Sequence, residues 1–155
     1  MQPRSNFCRT LLLLGAVAIT VVPAWHASSA QQHKAVNLSS ANNLPFSDGI
    51  VAGNTLYISG QQGLDVSGKL VAGGIGAETK TTLETIEKVV KAAGFELSDI
   101  VSVNVYLADI NEFGDMNKIY KAFLPDPKPA RTTIQAGALV NHARIEISAI
   151  AVRKR

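Results

Sequence analysis

Residues 75–109, IGAETKTTLETIEKVVKAAGFELSDIVSVNVYLAD, change their hydrophobic period partway along. In the first part Thr79, Leu83, Ile86, Val90 and Ala93 fall at steps of three and four, while Glu78, Lys80, Glu84, Glu87, Lys88 and Lys91 lie off that stripe. This spacing predicts an amphipathic helix of about five turns. Gly94 is its expected stop, because glycine enters the left-handed region without strain. In the second part the period is two, with Val101, Val103, Val105 and Leu107 on one face of a strand.

The same reading extends outward. Residues 49–60, GIVAGNTLYISG, hold two short β-type runs, 50–52 and 55–59, around Gly53-Asn54; both residues tolerate positive φ, so a tight hairpin is expected. Residues 31–44 read as a polar, turn-rich lead-in, and QQGLDVSGKLVAGG as a glycine-rich loop. Downstream, NEFGDMNKIYKAF predicts a shorter helix, N-capped by Asp109 or Asn111, which the prolines of LPDPKPA end. Two closing strands follow, at about 130–136 and 144–152. The order ββαβαββ predicts an α+β fold with two helices on one face of a mixed sheet. The other face carries Tyr106, Ile150 and Val152, so a partner subunit is expected to cover it.

Residues 1–30 read differently. Arg4 and Arg9 precede an uncharged run of 13 residues, 10–22, and small residues follow up to Ala30. A basic start, a short apolar stretch and a small-residue cleavage site predict a signal peptide over 1–30, one domain over 31–155, and a periplasmic or secreted product. The run is short against the ~20 residues that span a bilayer, so no membrane association is expected after cleavage. Export would remove the single cysteine, Cys8, leaving neither disulfide nor thiol nucleophile. It would also reduce 15 basic residues to 13 against 12 acidic ones. That balance, without a basic stripe interleaved with aromatics, argues against a nucleic-acid partner.

The chemistry falls on two charges in the closing strands. Arg131 opens the first and Glu146 stands between Ile145 and Ile147 in the second. Two readings follow. In one, the residues sit on neighbouring strands and form an ion pair, a common arrangement at sheet edges. In the other, the arginine fork grips a small carboxylic acid and the glutamate orients a water against a carbon about 3 Å away. His142 falls in an expected turn, and no metal-spaced cluster, G-x-S-x-G or P-loop occurs. Ser59-Gly60-Gln61 reads as turn chemistry at a strand end.

The run Pro129-Ala130-Arg131-Thr132-Thr133-Ile134, then Gly137, Leu139 and Ile145-Glu146-Ile147, resembles the signature of the RidA/YjgF family. LYISGQ, AAGFELSDIVSVNVYLADINEF and MNKIYKAF extend the likeness over about residues 44–153. The resemblance implies a chorismate-mutase-like subunit, three of which pack around a central β-barrel with clefts between them. It implies hydrolysis of enamines and imines, such as 2-aminoacrylate and other 2-imino acids, to 2-keto acids and ammonia, with no metal or organic cofactor. By the same resemblance Arg131 grips the substrate carboxylate, Glu146 positions the hydrolytic water, and Asn117, Tyr120, Ser59, Gly60 and Gln61 line the cleft. Phe46 and Thr133 also fall on site positions, where the family often has tyrosine and cysteine. A non-catalytic small-acid binder or chaperone-like protein is the alternative; an endoribonuclease that inhibits translation is a further one, disfavoured by the charge balance.

Overall fold

A computed structural model describes residues 32–39 and 44–154. The expected signal peptide lies outside the described residues. Six strands form one sheet in the order β1-β2-β3-β6-β4-β5, made of β1 (Lys34–Val36), β2 (Gly49–Ala52), β3 (Thr55–Gln61), β4 (Ile100–Leu107), β5 (Ala130–Gln135) and β6 (Ile145–Val152). Only the β4–β5 pair is parallel, and α2 (Phe113–Phe123) makes its crossover. With α1 (Gly74–Ala92), this is the expected α+β layout of a mixed sheet and two helices.

The helix stripe builds the core. Thr79, Leu83, Ile86 and Val90 are buried as expected, together with Ile75, Thr82 and Val89. They meet Leu56, Ile58, Val103, Val105, Leu107, Ile145 and Ile147 from the sheet. Each fully buried Leu or Ile contributes about 1.5–3 kcal/mol of transfer free energy. Gly94, at φ 75, ends α1 as expected: its N–H donates to the carbonyl of Lys91 and that of Phe95 to the carbonyl of Val90, which satisfies two terminal carbonyls. Asp109 caps the turn before α2, its Oδ1 accepting from the N–H of Asn111 at 2.9 Å.

Four details depart from the sequence reading. The polar lead-in contains a strand, β1, which adds to the edge at β2. Ser59-Gly60-Gln61 continues β3 past an irregularity opposite β6. Val101 is exposed, because pairing with β6 skips from Ile100 to Ser102; the extra residue throws Val101 outward and gives Ile100 the core position. Glu78, off the apolar stripe, is only 4% exposed. Its Oε2 accepts the backbone N–H of Arg144 at 2.8 Å, and the Arg144 guanidinium also reaches Glu112. A carboxylate so bonded is tolerated in the interior. The network ties α1 and the turn before α2 to the residue that precedes β6.

The face away from the helices is incompletely covered. Tyr57 is 51% and Ile134 47% exposed, and Tyr106, Ile150 and Val152 are half-buried beside them.

Candidate active site

Sheet register decides where the two charges point. Arg131 on β5 is level with Val103 on β4, and Thr133 with Val105. Val103 and Val105 point into the core, so Arg131 and Thr133 stand on the helix side. Glu146 on β6 is level with Tyr106, which alternates with the buried Val105 and Leu107 and so lies on the open side. The charges therefore occupy opposite faces, with β4 between their strands. The ion-pair reading fails on this geometry, and neither residue forms a salt bridge within the described chain.

Rings hold Arg131 in place. Its guanidinium carbon is 4.4 Å from the centroid of Tyr120 and 5.4 Å from that of Phe113, both on α2. Stacking fixes the plane of the fork and leaves its edge donors for another acceptor. Two hydroxyls near it, those of Tyr120 and Thr133, are buried without a hydrogen-bond partner. Such orphans are unfavourable until an oxygen or nitrogen meets them. Burial pushes the Tyr120 phenol above its ordinary range, and the Arg131 charge pulls it partly back. It therefore stays protonated, as a donor, at neutral pH. Asn117, Tyr120 and Arg131 share a pocket of about 520 Å³ with Lys121, Asp126 and Lys128. Thr133 lies beside this pocket, behind the arginine.

Glu146 is built into a second cleft of about 900 Å³, shared with Phe46, Ser59, Gly60 and Gln61. Phe46 is an exposed aromatic wall. The Ser59 hydroxyl is committed to the carbonyl of Ser47 at 2.6 Å. At Gly60 an added Cβ would sit 2.2 Å from Glu146 Oε1, so only glycine leaves the carboxylate its place. Gln62 holds the other oxygen: its Nε2 donates to Glu146 Oε2 at 3.0 Å and to the carbonyl of Val140 at 3.1 Å, while its Oε1 accepts from Asn141 Nδ2 at 3.3 Å. Sequence reasoning missed Gln62, Lys121 and Lys128. A glutamine in a glycine-rich loop and two lysines around a helix end read as ordinary solvated residues, and only the closed fold brings them to the clefts. Among the described residues no three His, Cys, Asp or Glu side chains are grouped to hold a metal ion.

One subunit thus carries two half-sites, an anion-gripping one with Arg131, Tyr120 and Asn117, and an acid–base one with Glu146, Phe46, Ser59 and Gly60. Comparison with known proteins agrees with the fold and the motifs. The family described as endoribonuclease L-PSP matches residues 37–153, and the chain belongs to it; this is the RidA/YjgF family that the sequence resembles. The chain is 44% identical over 110 residues to the 2-iminobutanoate/2-iminopropanoate deaminase of Mus musculus, covering 70% of this chain and 82% of that protein. The crystal structure of RidA from Psychrobacter superposes with a TM-score of 0.73 at 33% identity, over 77% of this chain and 99% of that one. Escherichia coli TdcF with bound serine superposes with a TM-score of 0.73 at 28% identity, over 78% and 99%.

Proposed function

We propose that this chain is an imine deaminase, converting 2-imino acids and their enamine tautomers to 2-keto acids and ammonia in clefts between copies of itself. The observation that carries the reading is the state of Arg131: a guanidinium stacked on two rings, without an acid partner, beside two unpartnered hydroxyls. That is the arrangement a small carboxylate would complete, with two parallel hydrogen bonds to the fork. The deaminases at 43–44% identity support the reaction, and a relative that binds serine supports the size of the ligand.

Since Arg131 and Glu146 occupy opposite faces of one subunit, their joint action calls for two subunits. The apolar open face, with Tyr57 and Ile134 about half exposed, supports a homotrimer in which sheets meet around a central barrel and each Arg131 pocket adjoins a neighbour's Glu146 cleft. There the arginine holds the substrate carboxylate. Glu146 takes a proton from a water as the oxygen bonds to C2, and returns it to the nitrogen. In the resulting 2-amino-2-hydroxy acid the hydroxyl proton passes to nitrogen as the C2–N bond breaks, releasing ammonia and the 2-keto acid. An enamine such as 2-aminoacrylate enters by gaining a proton at C3 and losing one from nitrogen. The basic start and 13-residue apolar run support cleavage near Ala30 and work outside the cytosol, and sequencing the amino terminus of protein from the native host tests this.

The enzymatic test is to feed freshly generated 2-imino acids to the purified protein and measure 2-keto acid and ammonia. Turnover that Glu146→Gln abolishes is expected. Tight binding of small acids without turnover would favour the non-catalytic binder instead.

A further inference from the structure

The Arg131 pocket holds more positive charge than one carboxylate needs. Lys121, Lys128 and Arg131 line it against one acid, Asp126. The Asp126 side chain is 84% exposed, so solvent screens much of its charge. Lys121 lies one turn after Asn117 on α2 and forms no ion pair with a described residue, whereas nearby Lys118 is bound to Asp115 at 2.7 Å. Lys128 is fixed from the other side: its Nζ donates to the carbonyl of Leu124, just past α2, and lies 3.5 Å from Asp126. It is thereby a positioned cation on the pocket wall. Three like charges around one small cavity repel, and a ligand with two negative charges relieves that repulsion better than one with a single charge.

We infer that this pocket selects a dianionic ligand, a 2-imino acid whose side chain ends in a second carboxylate. Arg131 takes the carboxylate next to the imine, and Lys121 with Lys128 takes the distal one. The reaction assigned to this substrate rests on the deaminase reading above; the charge argument concerns binding alone. It makes Lys121 and Lys128 specificity-determining residues.

The probes are two stable keto acids, 2-oxoglutarate and 2-oxobutanoate, with inorganic phosphate as a third anion, titrated calorimetrically into the full assembled protein. In the wild type 2-oxoglutarate is expected to bind about tenfold or more tighter than 2-oxobutanoate, the difference that one charge-assisted contact supplies. Lys121→Gln, an exposed change, should lower that ratio severalfold, and Lys121→Gln with Lys128→Gln should bring it near one. Equal binding of the two keto acids in the wild type overturns the inference. So does a ratio that Lys121→Gln leaves unmoved, or phosphate that binds as tightly as 2-oxoglutarate. Hydrolysis of the corresponding imines, run in parallel, separates the two claims. Dicarboxylate selectivity without turnover overturns the deaminase reading and leaves the pocket inference standing; turnover of imines without selectivity does the reverse.

Discussion

Arg131 stacks on Tyr120, guanidinium carbon 4.4 Å from the ring centroid, and no carboxylate of the described chain shares the charge. A structural arginine on a sheet edge would have an acid beside it. This one has an aromatic seat and unengaged donors.

The first prediction concerns that fork. Arg131→Ala should lower kcat/KM for imine hydrolysis by about thirty-fold to several thousand-fold, the range for losing a charge-assisted contact worth roughly 2–5 kcal/mol in a desolvated cleft. Arg131→Lys should fail as well, since an ammonium cannot reproduce two parallel bonds or stack on the ring. Thermal unfolding should change little, because no ion pair is broken. Near wild-type rates in both variants would mean that Arg131 is not the carboxylate clamp.

Tyr120 offers a test by pH. Burial raises the phenol of the folded protein above its value in the unfolded chain. Where the folded pKa of a neutral acid is raised, the folded state holds its proton longer, so stability falls as pH climbs past the unfolded value of about 10. Tyr120→Phe removes that titration. The stability difference between wild type and Tyr120→Phe should therefore be flat from pH 7 to about 9 and turn against the wild type above about 10. A difference independent of pH up to the alkaline limit would show that the phenol is not titrating from a buried site.

On the Glu146 side, position is the quantity to disturb. Gln62→Leu removes the amide that holds Glu146 Oε2 at 3.0 Å, and Gly60→Ala drives a Cβ to within 2.2 Å of Oε1. Each should lower kcat by about tenfold or more, as expected for losing a hydrogen bond to a charged group, with KM and melting temperature nearly unchanged. A rise in KM at constant kcat would assign the pair to ground-state binding instead.

Much of this was legible along the chain, and the remainder depended on strand order. The stripe Thr79, Leu83, Ile86 and Val90 and the alternation Val103, Val105 and Leu107 are local consequences of two periodicities, and both elements lie where those patterns put them. Arg131 and Glu146 were visible as charges in apolar strands. Their faces were not, because which residue of β4 each aligns with is set by pairing across the sheet. Val101 was misplaced for a similar reason, since the irregularity at Ile100 belongs to the β4–β6 pair and not to either sequence alone. Glu78 looked solvated because helical periodicity does not reveal that the backbone of Arg144, 66 residues on, supplies its hydrogen bond.

The central claim is that the site is completed between subunits, Arg131 from one and Glu146 from the next. It is tested most directly by complementation. Arg131→Ala and Glu146→Gln, each inactive as a uniform assembly, are unfolded together, refolded at equal amounts and assayed for imine hydrolysis. If the site is shared, mixed trimers contain interfaces with both native residues, and up to about a quarter of wild-type activity should return for random assembly of a closed three-membered ring. Mixed assemblies that form but stay as inactive as their parents would contradict the account.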